Sequence, residues 1–109
     1  MTFEEYQKLS RKSAAYPAYG SSYVYPVMGL TSEAGEVADK FKKAIRDEGG
    51  KISEERKIGI AKELGDVLWY VSQISSELDL SLEEVASLNL EKLHSRLERG
   101  KISGSGDNR

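Results

Sequence analysis

A nine-residue pattern occurs twice in this chain at an offset of 30 residues. Residues 29–37 read Gly-Leu-Thr-Ser-Glu-Ala-Gly-Glu-Val, and residues 59–67 read Gly-Ile-Ala-Lys-Glu-Leu-Gly-Asp-Val. Four positions are identical, and the Leu/Ile and Glu/Asp exchanges conserve chemistry. At the helical advance of about 100° per residue, Leu30, Ala34, Val37 and Phe41 form one apolar stripe. Ile60, Leu64, Val67 and Val71 form its counterpart. Glu33 with Glu36 flanks the first stripe, and Glu63 with Asp66 flanks the second on the same side. Two helices packed antiparallel through these stripes bring four carboxylates toward one another.

Acidic pairs three residues apart are ordinary in a chain with 18 acidic residues, and solvated helix flanks are the bland reading of each. Their matched placement beside matched stripes is the informative feature. Ionised carboxylates held together repel, and burying them is costly without compensation. A divalent cation supplies that compensation, and an all-oxygen donor set favours Mg²⁺, Mn²⁺ or Ca²⁺ over soft metals. Gly29 and Gly59 precede the two pairs by one turn on the same flank and leave room for a ligand; Gly35 and Gly65 are placed to permit close helix approach. Further down the flanks lie Lys40 with Lys43, and Tyr70; of these, Lys40 and Tyr70 are candidate ligand contacts.

The flanking sequence predicts an all-α fold of four helices. Thr2 with Glu5 has capping-box spacing and opens a helix reaching about Ala14. Pro26 is suited to start a second helix, over about 27–46, which Gly49 and Gly50 end. Ser53 caps a third over 54–78, closed by Asp79, and Ser81 with Glu84 caps a fourth over 82–99, stopped by Gly100. Residues 1–100 then form one helical domain, and 101–109 a flexible polar tail. Between the first two helices, residues 16–26 hold both prolines and four of the six tyrosines. Aromatic faces there suit either base stacking or packing over a small core.

Leu, Ile, Val and Phe together number 25 of 109, enough for a small core. Trp69 projects opposite the stripe of its helix, near Ile58, Gly65, Ser72 and Ser76, so that helix offers two packing faces. A bundle completed by association, as a homodimer or homotetramer, follows. A net charge of −2 gives no basic field for nucleic acid polymers. The absence of cysteine excludes disulfides and thiol catalysis. No membrane span or secretory signal is visible, so a cytoplasmic protein is expected.

Glu33-x-x-Glu36 followed by Glu63-x-x-Asp66, on helices of this length and with Asn89-x-x-Lys92-x-x-x-Arg96 on the fourth, resembles the MazG-like all-α nucleoside triphosphate pyrophosphohydrolases. The likeness runs over nearly the whole chain and is strongest from Gly29 to Tyr70. It implies that Glu33, Glu36, Glu63 and Asp66 hold Mg²⁺, with Mn²⁺ a substitute, and that Lys92 and Arg96 reach the phosphates with Asn89 nearby. It further implies that a water activated by Glu33 or Glu36 attacks the α-phosphorus of a nucleoside triphosphate and releases pyrophosphate. Nucleotide-pool house-cleaning is the role such a resemblance suggests. Two other readings compete. Glu91-x-x-His94 gives half of a carboxylate-bridged di-iron motif, although His94 is the single histidine. A non-catalytic helical interaction module needs no metal at all.

Overall fold

Three of the four helices start where a hydroxyl accepts a backbone N–H. Thr2 Oγ1 accepts from Glu5 N at 3.0 Å ahead of α1 (Phe3–Ser10), and Ser53 Oγ accepts from Arg56 N at 3.1 Å ahead of α3 (Glu54–Glu77). Ser81 Oγ accepts from Glu84 N at 3.3 Å ahead of α4 (Leu82–Glu98). Helix α2 (Val24–Glu48) has no such cap. These assignments come from a computed structural model, which describes residues 1–109 as helices and loops without a strand.

Two boundaries differ from expectation. Helix α1 stops at Ser10, and Arg11–Ser13 tighten into a 3-10 turn, a common way for a last turn to satisfy its carbonyls. Helix α2 begins two residues before Pro26, because the first N–H groups of a helix have no intrahelical acceptor and proline is tolerated there. At its far end Gly49 adopts φ 64°, and its N–H donates to Ala44 O.

The five residues between α2 and α3 make these helices an antiparallel hairpin. Gly29 meets Tyr70 near one end, and Lys40 meets Gly59 near the other. That register inverts one copy of the repeat against the other, so the carboxylate-bearing turns face each other. Helix α1 packs on the C-terminal half of α3 through a satisfied polar network. Gln7 donates to Ser76 Oγ and Leu80 O and accepts from Leu82 N, while Ser10, Ser72 and Gln73 hydrogen-bond together out of water. Such networks fix one register because a slip strands a buried polar group.

The apolar stripes are only partly covered. Ile60 is buried and Leu30, Val37, Val67 and Val71 are half-buried, but Leu64 is 53% exposed and Phe41 43%. Gly35 and Gly65, expected to admit a close helix, face open space within the chain. The chain exposes 7706 Å², whereas a compact monomer of its mass exposes roughly 6,000 Å². Its radius of gyration, 16.7 Å, likewise exceeds the roughly 13 Å of a compact chain. No helix is long and apolar enough to cross a membrane.

Trp69 finds its partners inside the chain. Its indole N–H donates to Ser13 Oγ at 3.0 Å, and its ring meets Tyr16 and Tyr70 edge-on. The N-terminal segment therefore covers the Trp69, Ser72 and Ser76 part of that face, while Ile58 and Gly65 stay open. Residues 101–109 carry no helix, but they fold back on α4: Arg109 donates to the carbonyls of Lys101, Ile102 and Gly106, and Arg99 to that of Arg109.

Candidate metal and nucleotide site

Because α2 and α3 run antiparallel, Glu33 projects toward the turn of α3 that carries Glu63 and Asp66. One carboxylate oxygen from each of the three lies within 4.8 Å of the others. Glu33 and Glu63 are half-buried, and Asp66 is exposed. Burial first, then the hydrogen bond with Glu63 and the charges of Asp66, Glu63 and Glu36, push the Glu33 carboxyl above its ordinary range. Glu36, one turn further along α2, is exposed and stands outside the three-carboxylate group. The only cation in contact is Lys40, whose Nζ is 3.5 Å from Glu63. Three hard oxygen donors in mutual repulsion fit a divalent cation by charge and by donor type.

On one side the cluster opens into a cleft of about 330 Å³ lined by Tyr25, Met28, Gly29, Ser32, Glu33 and Tyr70. The Tyr70 ring lies over the backbone of α2 at Gly29, where any Cβ would collide with it. Burial, followed by Tyr25 and the carboxylates of Glu33 and Asp66, raises the Tyr70 phenol above its ordinary range. On the other side, beyond Lys40, a second cleft of similar volume is lined wholly by polar residues and Gly59: Lys40, Glu48, Ser53, Glu55 and Arg56. Arg56 is committed there to Glu48 and to the Lys40 carbonyl.

The tyrosine-rich segment is buried at one point and lines the first cleft at another. Tyr16 is buried, and Tyr25 lines the first cleft with its ring parallel to that of Tyr16, centroids 5.9 Å apart and 7° between planes. Tyr16 is tied down by Glu77 on α3. The Glu77 carboxylate accepts from the Tyr16 hydroxyl, from Arg11 Nη1 at 3.1 Å and from the Gly20 N–H at 3.0 Å. Nothing in the sequence pattern singled out Glu77 or Arg11. The partners that hold Glu77 lie 57 to 66 residues away, beyond the reach of a local pattern.

Burial alone would push the Glu77 carboxyl up, but the donors from Tyr16, Gly20 and Arg11 outweigh it and hold the group below the ordinary glutamate range. Such a group stabilises the fold near neutrality and loses that contribution as pH falls below about 4. Glu77→Gln is therefore expected to melt well below wild type at pH 7, with the gap narrowing at pH 3. A gap that stays constant across that range would contradict the assigned ionisation.

The cations of α4 stand apart from the carboxylates. Lys92 Nζ pairs with Asp107 Oδ1 at 3.1 Å, and Arg96 contacts Asp107 and donates to the carbonyls of Gly106 and Asp107. The folded tail leaves Arg96 only 4% exposed, with its Nε buried and unpartnered. Asn89 is exposed on the same helix. Glu91 and His94 are also exposed and lie outside the metal-ligand cluster.

The residues that build this hairpin fall within a match to a known family of nucleotide hydrolases. The MazG nucleotide pyrophosphohydrolase domain matches residues 26–100, and the chain belongs to that family. It is also similar to the Gene 37 protein of Mycobacterium phage L5, with 46% identity over 114 residues covering all of both chains. No solved structure gives a significant match.

Proposed function

We propose that the chain hydrolyses a nucleoside triphosphate to its monophosphate and pyrophosphate, using a divalent cation held by Glu33, Glu63 and Asp66. The observation that carries this reading is the order of features along the hairpin: aromatic cleft, carboxylates, Lys40, polar cleft. A base seated between Tyr25 and Tyr70 sets the α-phosphate beside the carboxylates and points the outer phosphates toward Lys40. When bound, Mg²⁺ or Mn²⁺ polarises the phosphoryl oxygens and offsets their charge. Glu36, which lies outside the three clustered carboxylates but whose charge reaches Glu33, takes the proton from the attacking water. Glu33 is the other candidate base. Lys40 neutralises charge on the departing pyrophosphate. Product identification tests the reaction: equimolar monophosphate and pyrophosphate are expected, whereas diphosphate with orthophosphate would overturn it.

The roles of Lys92 and Arg96 as phosphate ligands belong to the same proposal, supported by the family relationship. In this conformation Asp107 occupies both cations, so the tail and a phosphate compete for them. The Asp107 side chain is mostly exposed, and solvated ion pairs of this kind contribute little. Asp107→Asn should therefore lower KM only about two- to fivefold, and only at low ionic strength. A KM that is unchanged there would show that the Asp107 carboxylate does not compete.

The uncovered stripes support association into a homodimer or homotetramer. The excess surface of roughly 1,700 Å² per chain is about twice what one partner buries in a standard interface. Sedimentation at tens of micromolar should give a dimer or larger species, and a monomer would contradict this.

A further inference from the structure

We infer that Glu77 is a positioning residue for base recognition: it touches no substrate group, but through Tyr16 it fixes the aromatic wall that Tyr25 gives to the cleft. The inference rests on reading that cleft as the base site. Glu77 lies eleven residues beyond Asp66 on α3, about 16 Å along the helix, too far to join the metal-ligand cluster. Its side chain is nevertheless only 2% exposed and has three donors from two segments: Arg11 in the 3-10 turn after α1, and Tyr16 and Gly20 in the loop. A buried carboxylate so placed dictates where the Tyr16 ring sits. That ring touches Tyr25 in a parallel stack and Trp69 edge-on, while Trp69 in turn meets Tyr70 at 5.1 Å. Both tyrosines of the cleft are thereby braced from one point. Arg11 is held as well, with its guanidinium 4.1 Å over the Tyr19 ring. A clamp of this kind acts on the base and not on the phosphates, so the ligand it affects is the nucleoside part of the substrate.

Trp69 provides the readout, since its ring sits between Tyr16 and Tyr70. Its fluorescence is titrated with the four deoxynucleosides, which carry base and sugar without phosphate, and inorganic tripolyphosphate with Mg²⁺ is titrated by calorimetry. Glu77→Gln in the full chain is expected to weaken binding of the preferred nucleoside about tenfold, the scale of one base-stacking contact, and to leave tripolyphosphate binding unchanged. In turnover, KM for the nucleotide rises by the same factor with kcat preserved. Tyr25→Ala reproduces the loss, and Glu77→Gln added to it costs less than the same exchange in wild type. Equal nucleoside affinity in wild type and variant overturns the inference. So does a parallel loss of tripolyphosphate binding, which marks a structural role, or a wild type that binds no nucleoside. If Glu77→Gln does not fold, Tyr16→Phe removes one donor to the clamp and must weaken nucleoside binding in the same direction. A chain that binds nucleosides but hydrolyses no triphosphate refutes the proposed reaction alone, and the same nucleoside comparison still decides the role of Glu77.

Discussion

Glu36→Gln and Asp66→Asn should each lower kcat by about a hundred- to ten-thousandfold, the range associated with losing a positioned proton acceptor or the ion it works beside. Far-UV circular dichroism should remain helical in both, because neither side chain belongs to a cap or to the buried network. Their responses to cation should differ. Glu36 stands outside the group of Glu33, Glu63 and Asp66, so Glu36→Gln keeps the thermal stabilisation by Mg²⁺. That stabilisation reaches about 2.7 kcal/mol when free ion is a hundredfold above its dissociation constant. Asp66→Asn loses it. Without metal, Asp66→Asn should melt no lower than wild type, since it removes a charge that raises the Glu33 carboxyl. Wild-type kcat in both variants would sink the assignment.

Gly29→Ala should raise the nucleotide KM by about tenfold or more while leaving stability nearly unchanged. In an exposed helix interior this exchange stabilises by up to about 1 kcal/mol. Here the added Cβ falls inside the Tyr70 ring, which must swing away from α2 and give up its edge contact with Trp69. Losing such an aromatic pair costs about 0.5–1.5 kcal/mol, so the two effects offset each other. The cleft loses its wall in the process. Wild-type KM, measured together with a melting curve that shows a folded variant, would remove Tyr70 from the site.

The helices and the facing acidic turns were legible because they rest on local chemistry. Ser53 and Ser81 sit three residues before the N–H groups they accept, and the two copies of the repeat carry their acids on the same flank of similar stripes. Convergence of the acids then requires only that a five-residue loop force α3 antiparallel to α2. What stayed illegible depends on distant partners. Trp69 was read as an outward anchor because helical projection cannot show that Ser13 and Tyr16 return to cover it. Glu77 and Asp107 carry no local signal in the sequence, and only the folded chain reveals that one clamps a loop while the other holds Lys92 and Arg96. The end of α1 was misplaced by three to four residues for a related reason. Ser10 donates its hydroxyl to Gln7 O and accepts from Gln73 beside Ser72, where a longer helix was expected to continue.

The central claim is that Glu33, Glu63 and Asp66 form one cation site, and Mn²⁺ titration followed by electron paramagnetic resonance reads it directly. Wild type should deplete the free-ion signal stoichiometrically, Glu63→Gln and Asp66→Asn should bind at least tenfold more weakly, and Glu91→Gln should match wild type. Equal Mn²⁺ binding by all four proteins, or none by wild type, would contradict the account.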